Sequence, residues 1–365
     1  MGAYIITFCI SLLFTHFAYK CTNNKFLQYI CSAIAIILPA LLAGFRDESI
    51  GTDTANYLFY FEQTSGYNSY GDYYQDFIFI EPGFLLLNYI VSQCGGSAET
   101  YLFITHLFII GIVYVSAFIW RKYINPTWVM FIFYFIMYNE SLNAVRQYAA
   151  ITFILLAFSI YAVKRKLLLA SIIALLSLSF HYSAIICIIL IFAIYWVKHF
   201  PLKDNYLKLG MIVLFALVVI LQTHESFMPL LFPETYSEKY SEYLSSSKEG
   251  SISLSLVLLH LIIAGFIIFK MVKKGSPICD FFIIASMVAI GLYMLGFIST
   301  PLYRLGLFAN IFICLSIPYT LARSEGNGLL TKSFFIVLIV FFWWLSYVYN
   351  GSHETIPYEL SFSLI

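Results

Sequence analysis

The chain has 365 residues, of which 61% are hydrophobic and only 11% charged, with a net charge of +1. A soluble fold carries roughly a quarter charged residues. That shortfall and the mean hydropathy of +0.86 exclude an ordinary soluble enzyme and point to an all-α polytopic membrane protein.

Taken in chain order, twelve spans are predicted, at about 3–19, 26–45, 99–120, 126–139, 144–163, 167–180, 182–197, 207–222, 252–270, 279–299, 304–322 and 331–349, each an apolar run bounded by polar residues. The first run, "MGAYIITFCISLLFTHFAYK", has no basic leader region and no small-residue cleavage site. It therefore reads as a first span, not a removed signal peptide. Ile6 stands where a myristoylation pattern needs Ser or Thr. After the second span, "AGFRDESIGTDTANY" gathers Arg46, Asp47, Glu48 and Asp53 at the end of an apolar segment. A large outer loop, 46–98, continues with "TANYLFYFEQ", an expected amphipathic helix, and the Tyr-rich "SGYNSYGDYYQDF". "EPGFLLLNYIVSQ" follows, an apolar run too short to cross a membrane and suited to a re-entrant or interfacial helix with Pro82 in its first turn.

The span at 126–139 is short and is followed by "NESLNAVRQY". The run 167–197 has the opposite problem, since at 1.5 Å per residue it reaches about 46 Å, against a hydrocarbon core of roughly 30 Å. Basic residues flank both its ends, so an even number of crossings is required, with a turn at "SFHYS", 179–183. Two half-length helices place that turn, with His181, below the outer surface. Irregular backbone at such depth is tolerated only where it lines a cavity or is buried in protein. Both features point to one recessed pocket open to the outside. A second outer loop, 223–251, is rich in Tyr, Ser and Glu. The seven Cys are scattered without a C-x-x-C and read as core residues, not as a metal site or a disulfide frame. No boundary sets off a soluble domain, so 1–365 is expected to be a single transmembrane domain.

Charge alternates along this plan. Of the 20 Lys and Arg, all but Arg46, Arg146, Lys239, Lys248 and Arg304 fall in or beside loops after odd-numbered spans, whereas among the 19 acidic residues only Asp204, Asp280 and Glu325 fall there. The positive-inside rule then places both termini outside.

Arg46, Arg146 and Arg304 each abut an apolar segment on the side that otherwise avoids positive charge. The bland explanation is snorkelling, or an ion pair with Asp47, Glu140 or Glu81. The functional one is a clamp for a dianion, because guanidinium forks match phosphate oxygens bidentately. A phosphate-bearing ligand embedded in the outer leaflet is most simply a lipid-linked diphosphate.

"GFRDESIGTDTANY", "EPGFLLLNYI", "NAVRQYAAITFILLAFSIYAVKRK" and "SFHYSAI", in that order, with "STPLYRLGLF" later, resemble the EpsG/Wzy-type bacterial polysaccharide polymerases. The resemblance covers about residues 40–200 well. It implies a GT-C-like glycosyltransferase of the bacterial inner membrane. Such an enzyme joins undecaprenyl-diphosphate-linked repeat units at the periplasmic face into O-antigen, capsule or exopolysaccharide. It further implies a metal-independent, inverting reaction with no cofactor, no nucleotide sugar and no nucleic-acid partner, the bilayer as environment, and a chain-length regulator as a possible protein partner. On that reading the acceptor hydroxyl needs a base. His181 leads by its titration range and recessed place, against the plain alternative of a buried His bonded to a carbonyl. Asp47 and Asp53 are rivals, and Asp53 equally suits a helix cap. Tyr182 and Tyr303 are candidates to contact phosphate or stack on sugar, and Glu81, Glu140 and Asn143 to hold the acceptor. Tyr70, Tyr73 and Tyr74 are placed to hold sugars or simply to sit at the interface. No metal ligand set is expected. The competing readings are an O-antigen ligase or related transferase using the same donor, and a flippase for lipid-linked sugars.

Overall fold

The computed structural model describes residues 1–21, 23–185, 188, 254–272, 276–295, 300–323 and 328–361. The spans expected at 182–197 and 207–222 and the loop 223–251 lie almost wholly outside these residues, as do Lys239 and Lys248. Every regular element among the described residues is helical, and the only strand-like pairing there is a single antiparallel bridge between Arg46 and Leu360.

Six helices among the described residues are long and apolar enough to cross a membrane. They are α1 (Gly2–Lys20), α2 (Lys25–Gly44), α6 (Ala98–Ile119), α9 (Val145–Ser159) with the π-helical turn that extends it to Lys164, α12 (Pro277–Leu295), and α15 (Gly328–Trp343) with a π-helical turn to Tyr349. A helix pair, α13 (Thr300–Asn310) and α14 (Ile313–Arg323), counts as a seventh if read as one broken span. These match expected spans at 3–19, 26–45, 99–120, 144–163, 279–299, 304–322 and 331–349. Helix α10 (Leu167–Ser177) has only 11 residues, and α11 (Leu254–Met271) fills the span expected at 252–270.

The chain groups into two compact units, one of residues 1–182 with 317–365, the other of residues 183–316. In the first, α1 packs on α2, α2 on α6, α6 on α9 and α9 on α10. The second contains α11, α12 and α13, with α12 packed on both its neighbours. There the side chains of His260 and Asn310 pair, Nε2 to Oδ1 at 2.7 Å, and the imidazole ring lies 4.5 Å from that of Tyr293.

The early loop folds into short helices. Asp53 precedes α3 (Thr54–Gln63), Ser69 caps α4 (Tyr70–Asp76) through Asp72 N–H, and Pro82 opens α5 (Pro82–Gln93). Pro at the first helical position loses no hydrogen bond, because that N–H has no intrahelical partner in any case. The short span at 126–139 resolves into α7 (Pro126–Ile132), a π-helical turn at Phe133–Met137 and α8 (Tyr138–Asn143). The helix then breaks at Ala144 (φ −99°, ψ 52°) and restarts as α9, which carries Arg146 in its first turn.

Candidate functional site

Glu81 sits at the entry of α5, yet its side chain does not cap that helix. The Ser179 carbonyl does so instead, accepting from Gly83 N–H at 2.7 Å and Phe84 N–H at 3.3 Å. The approach is close enough to require glycine. A Cβ on Gly83 would lie 2.9 Å from both the Cβ and the carbonyl oxygen of Ser179. The turn at 178–181 after α10 is thereby pinned to the start of α5, and that contact brings His181 to Glu81.

Glu81 is fully buried and bridges Arg146 and His181. Its Oε2 lies 2.6 Å from Arg146 Nη1 and its Oε1 2.7 Å from His181 Nδ1. Tyr182 N–H also donates to Oε1, at 3.4 Å. Burial by itself raises the Glu81 carboxyl. The charges of Arg146 and His181, with the His181 hydrogen bond, overcome it and bring the group from 4.5 down to about 2. An isolated buried carboxylate would be prohibitive, and it is tolerated here because both oxygens are paired. An ionised carboxylate only accepts, so His181 Nδ1 carries the proton and the neutral ring has its lone pair on Nε2. Both His181 and Arg146 keep 25% of their side chains exposed above the fully buried Glu81. The Phe84 ring lies 5.7 Å from the Arg146 guanidinium, a cation–π contact that steadies it. Tyr70 donates to the Pro82 carbonyl at 2.8 Å and stacks on Tyr74, with centroids 6.0 Å apart, at the edge of this site. Tyr73 is fully buried and presents no face to a sugar.

A second polar cluster stands at the C-terminal end of α8. Glu140 is 5% exposed and accepts from Tyr148 O–H at 2.9 Å. Asn143 Oδ1 accepts from Thr52 O–H at 2.6 Å and Asp53 N–H at 2.8 Å. A backbone N–H can only donate, so the amide oxygen must face it, and the Asn143 NH2 faces His353 Nδ1 at 3.2 Å. His353 Nε2 then carries the ring proton, 3.8 Å from Glu140 Oε1. His353 adopts φ 64°, between Gly351 at 62° and Glu354 at 52°, a conformation L-residues avoid. Sequence reasoning missed His353, whose one signal was a polar "NGSHE" directly after the last apolar run.

The two other arginines have different surroundings. Arg46 is 1% exposed, and its guanidinium donates to the Ala43 carbonyl at 2.5 Å and the Leu142 carbonyl at 3.1 Å. Those carbonyls close α2 and α8, where the helix dipoles favour a cation. Arg46 thus joins two helix ends, and the phosphate contact expected of it has no exposed guanidinium to serve it. Arg304 and Tyr303 lie in the second unit, where the Tyr303 ring is 5.3 Å from that of Tyr293.

The carboxylates of the early loop also divide. Asp47 Oδ1 accepts from Ser49 N–H at 3.0 Å and Ser49 O–H at 2.7 Å. Asp53 occupies the cap position of α3 but makes no side-chain cap bond. Gly51 takes φ 91°, with the Leu142 carbonyl 3.3 Å from where a Cβ would stand, which is the tight turn that "SIGTD" demands. Among the described residues no three His, Cys, Asp or Glu side chains gather as ligands for a metal ion.

A family model described as the EpsG family matches residues 29–360. No curated protein and no solved structure matches the chain.

Proposed function

Because the chain belongs to the EpsG family, whose members are polysaccharide-polymerase-like membrane proteins, we propose that it polymerises oligosaccharide repeat units carried on a lipid diphosphate. The transfer takes place at the outer face of the bacterial inner membrane and proceeds with inversion. The observation that carries this reading is the buried Glu81 held between His181 and Arg146.

A hydroxyl of the acceptor repeat unit attacks the anomeric carbon of the donor glycan. Its proton passes to His181 Nε2 as the new C–O bond forms. Glu81 is a positioning residue in this step. It fixes the ring with the lone pair outward and stabilises the imidazolium that forms, the part a buried carboxylate plays beside a histidine base. On the far side the anomeric C–O bond breaks and its electron pair goes to the diphosphate oxygen. Arg146, anchored on Glu81 through Nη1, offers its remaining N–H donors to that growing charge. Lipid diphosphate is a good leaving group and needs no acid at its oxygen. Tyr70, Tyr74 and Tyr182 at the rim are suited to packing on sugar faces. Glu140, Asn143 and His353, with Asp53 beside them, supply polar contacts for the acceptor.

The test is incubation of the purified chain with a lipid-linked oligosaccharide. A ladder of products differing by one repeat unit is expected. A single addition would overturn polymerisation in favour of ligase-type transfer, and unchanged substrate moved between leaflets would overturn transfer altogether.

A further inference from the structure

Helix α9 and its π turn run for 20 residues from Val145 to Lys164, about 30 Å, so Lys164 lies far from the Arg146 end. Around that far end is a cleft of about 710 Å³, bounded by the start of α2, the end of α6 with its following turn, and the end of the α9 segment. Its rim holds four cations, Lys25, Arg121, Lys122 and Lys164, and none of its lining residues is acidic. Its apolar lining is formed by Ile36, Val115, Phe118 and Ile119. Lys25 and Ile36 are both on α2, and their separation of eleven positions along the helix corresponds to about 16 Å. The inner wall is rigid, because Tyr114 O–H donates to Ser32 Oγ at 2.8 Å and the Tyr114 ring stacks on Phe118 at 4.5 Å.

We propose that this cleft binds one anionic phospholipid, its phosphate at the Lys25–Arg121–Lys122–Lys164 rim and an acyl chain along the Ile36–Phe118 wall. The positive-inside tendency explains basic residues in loops on one side of a membrane. It does not require four of them, from two helices and the turn after α6, to line one cleft that also has an apolar wall. A soluble phosphate would use the rim alone. The 16 Å apolar extension fits a chain attached to the phosphate. A basic pocket between spans is the recognised chemistry for an acidic headgroup. The site is separate from the transfer chemistry, so its fate does not decide the reading of Glu81 and His181.

The test uses the full chain equilibrated in detergent with phosphatidylglycerol or phosphatidylcholine, with retained lipid counted by native mass spectrometry. Phosphatidylglycerol should be retained at least tenfold over phosphatidylcholine. Lys122→Gln with Lys164→Gln should weaken it by about fivefold per cation. Ile36→Trp, which fills the apolar end without changing charge, should also weaken it. Lys20→Gln with Lys332→Gln, an equal charge change outside the cleft, should leave it intact. Equal retention of the two lipids would overturn the proposal, as would an equal loss in the Lys20/Lys332 control. Displacement of lipid by inorganic phosphate at matched concentration would assign the rim to a soluble anion and overturn the lipid site.

Discussion

Glu81 and His181 are one hundred positions apart in sequence and 2.7 Å apart in space, Nδ1 to Oε1. The contact depends on a backbone arrangement, the Ser179 carbonyl seated on the first N–H groups of α5. Gly83 makes that possible. Gly83→Ala should therefore push the turn at 178–181 away from α5 and lengthen the Glu81–His181 contact. The expected outcome is a protein that still inserts but forms polymer at least tenfold more slowly in a cell lacking the native chain. Polymer at the normal rate would detach the close approach from activity.

Arg146 and Arg46 should respond differently to the same change. Lys keeps the charge and loses the fork. At Arg146 the loss of one charge-assisted hydrogen bond, about 1.5–3 kcal/mol, falls on the leaving diphosphate. Turnover should drop by roughly ten- to a hundred-fold with little change in melting temperature. At Arg46 one ammonium cannot reach both the Ala43 and Leu142 carbonyls as the guanidinium does, so Arg46→Lys should lower the melting temperature instead. Thermal melts beside rate measurements separate the two, and a turnover defect without a stability defect in Arg46→Lys would return it to the ligand.

The paired carboxylate also gives a pH signature in stability. The folded-state value for Glu81 is depressed, so its stabilising contribution is complete above about 4.5 and is lost as the pH falls toward about 2. Wild-type melting temperature should fall across that window more steeply than that of Glu81→Gln, which starts lower. Parallel curves for the two proteins would mean that Glu81 is not held ionised by Arg146 and His181.

At His353 the strain and the hydrogen bond pull in opposite directions. His353→Ala keeps the unfavourable φ of 64° and loses the Asn143 contact. His353→Gly loses the contact but relieves a conformation costing about 1–2 kcal/mol for an L-residue. The Gly variant should be the more stable of the two by about 1 kcal/mol, read from chemical denaturation in detergent. The reverse order would remove the strained turn from the account.

Much of the frame was legible because it depends on local rules. "TANYLFYFEQ" and "EPGFLLLNYIVSQ" become α3 and α5, and the hydropathy pattern locates the six long helices and the turn after α10. The short span at 126–139 announced irregular backbone, though not its form, a π-helical turn followed by a break at Ala144. The environment of Arg46 was hidden. Charge at the end of an apolar run reads the same whether the guanidinium meets a ligand or two helix-end carbonyls. The C-terminal segment was hidden for a related reason. Its contacts reach back more than two hundred positions, with Asp47 N–H donating to the Glu359 carbonyl at 3.0 Å and Asn139 donating to Thr355 Oγ1 at 2.9 Å. No short-range pattern carries such pairings.

The central claim is that His181, set by Glu81, takes the acceptor proton. It is tested most directly by the single-turnover rate of His181→Ala with a lipid-linked oligosaccharide, at equal folded protein and saturating substrate. The account expects a rate lower by about 10²–10⁴-fold with donor binding retained. A rate within twofold of wild type would contradict it.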